Sequence, residues 1–198
     1  MPALRITKNS KHLCTVGSDD VWMFSASIWG DIWGPEASFL DVHGSGKLGP
    51  KGESDFLIWQ MPHELKPGDS ICFSFEHGAV SSPKGKVIAP EPTTDKSKVD
   101  FSSPPSEKEV RKFESRPKRN GTLTWRFSRD SRAEIRVAPD ATRQHVSFSV
   151  LWNADRPDRL RANLSKSSLR EIVNRTRGEE VFLEYVPLGS RFEIAIGI

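Results

Sequence analysis

Residues 44–49, Gly-Ser-Gly-Lys-Leu-Gly, carry the spacing G-x-G-x-x-G. In dinucleotide-binding proteins that spacing lets the backbone approach a pyrophosphate seated on the N-terminus of the following helix. Here Pro50 and Gly52 come next, and then Asp55–Met61, a run that reads as a strand. A strand–loop–strand setting offers no helix N-terminus. No G-K-[ST] completes a Walker loop, and neither H-R-D nor D-F-G follows. The string is therefore expected to be a hairpin loop that uses glycine's access to positive φ. Lys47 and Lys51 are its expected contribution to binding.

The residues able to hold a metal are His12, Cys14, Asp41, His43, His63, Cys72, Glu76 and His77. His12 and Cys14, and Asp41 and His43, are two apart, which on a strand places each pair on one face. Structural zinc sites usually show four N/S ligands in recognisable pairs, and no Cys-x-x-Cys or H-E-x-x-H spacing occurs. No metal and no cofactor is expected. The carboxylate pairs Asp19–Asp20 and Glu179–Glu180 fall at element starts, where acidic residues are common on solvent-facing turns, and no G-x-S-x-G elbow is present. The expectation is a protein that is not an enzyme. An enzyme with a site assembled from scattered residues is an alternative.

Charge supplies the best lead to a partner. Residues 1–100 carry 10 Lys/Arg against 13 Asp/Glu, whereas between Arg111 and Arg143 ten basic residues face four acidic ones. Arg116, Lys118, Arg119, Arg126, Arg129, Arg132 and Arg136 surround Trp125 and Phe127. Cations for phosphate and rings for bases are what single-stranded nucleic acid requires. Period 2, however, puts Trp125 and Phe127 on the face opposite Arg126, so rings and charges would not share a surface. A basic face matched to an acidic protein partner, or turned inward to the acidic first lobe, is favoured. Trp29 and Trp33 lie in a glycine-rich turn region, where they would serve either as rigid contact area for a partner or as anchors folded down on the sandwich.

The elements that would position these residues are mostly strands. Val21–Trp29 alternates, with Trp22, Phe24, Ala26 and Ile28 on one face. Residues 38–43, 55–61 and 70–77 are further strands, and 55–61, apolar on both faces, is expected to be a central covered strand. Pro67–Gly68 marks a tight turn. Residues 78–119 are rich in Pro, Ser and Lys and read as a connector, with an edge strand at 86–89 and a short helix at 106–115 opened by a Ser106/Glu109 capping box. Strands follow at 123–127, 133–137 and 145–152. A helix is expected over 167–178, with a Ser168/Glu171 capping box, a stripe of Leu169, Ile172 and Val173, and Gly178 as its stop. Two strands close the chain.

The expected fold is mainly β with minor α. An all-β sandwich-like lobe (1–80) and an α+β lobe (121–198) are joined by the connector 81–120; the alternative is one continuous domain with the connector wrapped over it. Val21–Trp29 and Val146–Ala154 echo one another in an F-S pair leading to Trp. No stretch is apolar enough for a membrane helix, no signal-peptide core is visible, and two cysteines make no disulfide framework. A soluble, cytoplasmic location is expected. The favoured function is a non-enzymatic protein-binding module, such as an inhibitor or immunity-type protein that neutralises a toxin or enzyme. Nucleic-acid binding through residues 111–143 is the alternative.

Overall fold

Alternation of apolar and polar residues, repeated along most of the chain, builds two antiparallel sheets. The computed structural model describes residues 1–33, 38–50, 52–78, 80–88 and 104–197. In chain order the strands are β1 (Pro2–Lys8), β2 (Lys11–Gly17), β3 (Val21–Asp31), β4 (Ser38–Gly46), β5 (Phe56–Leu65), β6 (Ser70–His77) and β7 (Lys86–Ile88). Helix α1 (Glu107–Glu114) precedes β8 (Thr124–Arg129), β9 (Ile135–Val137), β10 (His145–Asn153) and β11 (Arg159–Ser167). Helix α2 (Leu169–Val173), β12 (Glu179–Pro187) and β13 (Arg191–Gly197) complete the order.

One sheet runs β2-β1-β6-β13-β8-β9 and the other β12-β11-β10-β3-β4-β5-β7. The fold is thus mainly β with minor α, as the patterning predicts. Segments 1–80 and 121–198 interleave in both sheets. Strand β13 pairs with β6, and β10 pairs with β3 from His145↔Asp31 to Asn153↔Met23. The echoing segments 21–29 and 146–154 are therefore neighbours in the sheet. One buried cluster draws on both segments, because a sheet buries one face only against a second apolar face.

Phe148 lies at the centre of that cluster, 5.4 Å ring to ring from each of Phe73, Phe127 and Phe192. Phe24 stacks on Trp152 at 5.1 Å. Across the sandwich, the buried Trp125 indole donates to Ser38 Oγ at 3.0 Å, which satisfies its one donor in the core. The alternating apolar residues Ile71, Phe73 and Phe75 of β6, Trp125 and Phe127 of β8, and Val146, Phe148, Val150 and Trp152 of β10 are all buried. Trp22 is an exception. The register shifts between Val21 and Met23, so Val21 is buried and Trp22 only half-buried.

Three expectations are corrected. Strand β5 is not a central covered strand: it lies next to the edge strand β7, and Phe56 and Met61 are exposed. The helix expected over 167–178 spans only Leu169–Val173. Arg175 adopts a left-handed φ of 53°, its N–H bonds Ile172 O, and the Thr176 N–H bonds Glu171 O. That is a Schellman closure with Arg in the place glycine usually takes. Gly178 serves a different purpose: a Cβ there would sit 2.2 Å from Lys166 O and 2.3 Å from Ser167 Oγ. Finally, β1, β2 and β11 are strands that the sequence reading did not propose.

The turns follow their chemistry. Asn9 and Ser10, with φ of 51° and 64°, close the β1–β2 hairpin. Gly68, at φ 92°, completes the Pro67–Gly68 turn. Asp69, 9 % exposed, fastens that turn. It accepts from the Lys66 N–H at 2.7 Å and the Asn9 amide at 2.8 Å, and pairs with the Lys8 ammonium at 2.8 Å. Burial alone would raise its carboxyl, but these donors hold it below the ordinary value. The described parts of the connector rest on the sandwich: Ser82 bridges Thr15, β7 pairs with β5, and Lys118 bridges Trp33.

Candidate functional site

At the end of the sandwich where β3 stops and β10 begins, several of the residues singled out by type and spacing converge. Trp33, 8 % exposed, packs edge-on against Phe113 of α1 at 5.0 Å between centroids. The Arg116 guanidinium lies over the Phe113 ring, 4.3 Å from its centroid. Lys118 faces Trp33 in its bridge, and the Arg119 N–H bonds Ile32 O at 2.8 Å. Trp29 lies on the outer sheet face, stacked on Phe39 at 4.5 Å and near His145 at 6.4 Å. Asp31 sits opposite His145 in the β3–β10 register and accepts the Trp33 N–H at 2.8 Å. Burial raises the Asp31 carboxyl above its ordinary value, against the Trp33 N–H, His145, Arg119 and Arg116. Burial likewise pushes the His145 imidazole down, while Asp31 pulls it the other way.

Two short helices wall this end. Each opens on a reciprocal capping box, Ser106 with Glu109 and Ser168 with Glu171, as their spacing predicts. Helices this short are not stable alone, so packing must hold them. Arg170 of α2 grips Glu107 of α1 through two hydrogen bonds of 2.8 and 3.2 Å and approaches Glu114 at 3.8 Å. Between the helices lies a groove of about 360 Å³, with Val110, Phe113, Leu169 and Val173 as apolar lining and Lys112 and Arg116 beside them.

The electrostatics of the groove follow from which charges are already engaged. Glu107 is held below its ordinary value by Arg170 and Arg111, and Glu109 by the Ser106 hydroxyl and N–H. Every carboxylate of α1 thus has a partner within the fold. Among the described residues, Lys108, Lys112, Arg116 and Lys118 have no carboxylate within 4.0 Å. Four described cations at this end thus remain outside any ion pair.

The remaining predicted site residues lie elsewhere. Arg126 and Arg136 face each other across β8 and β9 on the outer side of the six-stranded sheet, and both approach Glu134, at 3.8 and 3.3 Å. Arg129 is largely buried between Asp130, at 3.0 Å, and Glu184. Arg132 is exposed at the turn closed by Asp130 and Ser131. Trp125 and Phe127 are in the core, so their rings cannot stack on bases.

Among the metal-ligand candidates, His43 Nδ1 meets Asp41 Oδ2 at 3.0 Å, His12 meets Thr15, and His63 meets Lys8. No three His, Cys, Asp or Glu converge among the described residues. Cys14 is buried, and its thiol is pushed up to about 12 by that burial. The glycine string belongs to the end of β4 and the following loop. The Gly46 N–H bonds Asp55 O, and a Cβ on Gly44 would lie 2.7 Å from Met23 O. Lys47 is exposed there, and Lys51 lies outside the described residues. No helix among the described residues is long and apolar enough to cross a membrane.

The groove itself was not visible in the sequence. Its stripe residues Leu169 and Val173 were, but the meeting of α1 with α2 brings together residues some sixty positions apart. A second recess, lined by Arg156, Arg159, Arg161 and Tyr185, was missed although the run Arg156–Arg161 signals it. The class these features define is an antiparallel β-sandwich with a helix-walled basic end. No protein-family model, curated protein or solved structure matches the chain.

Proposed function

We propose that this chain is a non-enzymatic binding module whose α1–α2 groove takes an acidic segment of a partner protein, anchored by one or two apolar side chains. The observation that carries the reading is the pairing of an apolar lining with cations that, among the described residues, have no carboxylate within salt-bridge reach. Lys112 and Arg116 border Val110, Phe113, Leu169 and Val173, while Glu107, Glu109 and Glu114 are all engaged within the fold. A Leu or Phe seated in the groove would contribute about 1.5–3 kcal/mol by burial. Carboxylates beside it would gain from Lys112 and Arg116 without breaking an existing ion pair. Phe113, which lines the groove, is braced edge-on by Trp33, and a wall held in place reduces the ordering cost of binding.

A displayed library of random peptides, selected on the whole chain at about 0.15 M salt, tests this reading. The expected outcome is enrichment of sequences that place Asp or Glu next to Leu, Phe or Trp. Binding should fall at least tenfold for a Lys112→Glu/Arg116→Glu variant. Enrichment without acidic bias, or equal binding to that variant, would overturn the reading.

A further inference from the structure

The opposite end of the seven-stranded sheet holds a second recess with different chemistry. Along β10, His145 and Asn153 are eight residues apart, about 26 Å at strand rise, so the two sites do not overlap. The recess is about 350 Å³, near the lower bound for small-molecule sites. Arg156, Arg161, Asp155, Asn153 and Tyr185 line it, together with Arg159.

Its charges divide into engaged and unengaged groups. Arg159 is clamped by Asp158 at 2.9 Å. Among the described residues, Arg156 and Arg161 have no carboxylate within 4.0 Å, and Asp155 has no cation within that distance. Arg161 projects from β11 beside Tyr185 of β12, its register partner, a residue 56 % exposed. The loop that presents Arg156 and Asp155 is tied down from within. The Trp152 indole donates to Pro157 O at 3.2 Å, the Ala154 N–H to Trp22 O at 2.7 Å, and the Arg156 N–H to Asn153 Oδ1 at 3.2 Å. That last bond occupies the Asn153 carbonyl and leaves its amide N–H groups to donate. The backbone of this loop is therefore fixed before any ligand arrives.

We infer that this recess binds a sugar phosphate: the Arg156 and Arg161 guanidiniums take the phosphate, Asp155 accepts ligand hydroxyls, and the Tyr185 ring covers the sugar. The ligand must carry both an anion and hydrogen-bond donors, because an anion alone would leave the Asp155 carboxylate facing like charge. A phosphate matches guanidinium geometry and accepts from two of them at once. A hydroxylated ring supplies the donors that Asp155 requires and the flat contact that Tyr185 offers.

Titration calorimetry on the whole chain, with ribose 5-phosphate, inorganic phosphate, ribose and AMP as probes, tests the assignment. Ribose 5-phosphate is expected to bind saturably, one per chain, at least tenfold more tightly than inorganic phosphate, and ribose not at all. AMP binding more tightly than ribose 5-phosphate marks a nucleotide as the source of the sugar phosphate; AMP binding more weakly marks a free sugar phosphate. Arg161→Met is expected to weaken ribose 5-phosphate at least tenfold. Arg156→Ala, in an exposed turn, gives the same reading should the strand variant fail to fold. Asp155→Asn is expected to weaken ribose 5-phosphate but not phosphate. Arg136→Ala, on the other sheet, and Lys112→Glu/Arg116→Glu, at the other end, should leave binding unchanged. No saturable binding, equal affinity for phosphate and ribose 5-phosphate, or full affinity in both Arg156→Ala and Arg161→Met would overturn the assignment.

Discussion

Phe73 and Phe148 come from the two segments that interleave, and their rings are 5.4 Å apart at a tilt of 52°. Both are fully buried, so replacing either by Leu removes ring contacts that no solvent can restore. Each single substitution should cost about 1–2 kcal/mol, below the roughly 3–5 kcal/mol of a Phe→Ala change because Leu refills part of the space. A domain of this size shifts its Tm by about 2–4 °C per kcal/mol, so each single variant should melt a few degrees lower. The double variant carries the test. An aromatic pair contributes about 0.5–1.5 kcal/mol beyond area burial, and that coupling disappears once either ring is gone. The double-mutant cycle should therefore show a coupling of that size, measured by urea unfolding with the slope unchanged. Phe148 also touches Phe127 and Phe192, so its single cost should be the larger of the two. Additivity within about 0.3 kcal/mol, or two separate unfolding transitions, would refute a shared core.

Gly178→Ala should destabilise the chain by about 1–3 kcal/mol, read from thermal unfolding, because its Cβ would sit 2.2 Å from Lys166 O; an unchanged Tm would mean the loop lies elsewhere. Asp69 has a lowered carboxyl pKa, so its stabilisation is fully present above the unfolded value of about 3.9 and is lost as pH falls through the folded value. Asp69→Asn should therefore be less stable than the parent above about pH 5, with the gap closing in acid; a gap that stays constant down to pH 2 would contradict this. Cys14, pushed up to about 12, should resist thiol reagents at pH 8 in the folded chain and react on unfolding. Modification of Cys14 at the same rate in both states would contradict its burial.

Legibility in the sequence tracked how local each signal was. The alternating runs of β6, β8 and β10 and both capping boxes are local patterns, and the structure contains each of them. The Leu160, Ala162 and Leu164 alternation of β11 was equally local; its polar positions, Arg159, Arg161 and Asn163, masked it. Helix α2 stops early because Arg175 takes a left-handed conformation that local pattern assigns to glycine. The pairing of β13 with β6 and of β10 with β3 is non-local, and no spacing in the sequence specifies it. The site residues divided on the same line. Trp33, Arg116, Lys118 and Arg119 converge because α1 folds back onto the end of β3, whereas Arg126, Arg129 and Arg136 find Glu134, Asp130 and Glu184, partners supplied by hairpin pairing and by the second sheet.

A charge-swap experiment tests the acidic-segment reading most directly. The affinity of a selected acidic peptide is measured by fluorescence anisotropy against the parent chain and the Lys112→Glu/Arg116→Glu variant, and the measurement is repeated with the peptide's Asp and Glu replaced by Lys. Since each tenfold is about 1.4 kcal/mol, loss of two rim contacts should weaken the acidic peptide at least tenfold. The Lys-bearing peptide should reverse that preference and bind the variant better than the parent. If both peptides bind both chains alike, the groove does not recognise an acidic segment.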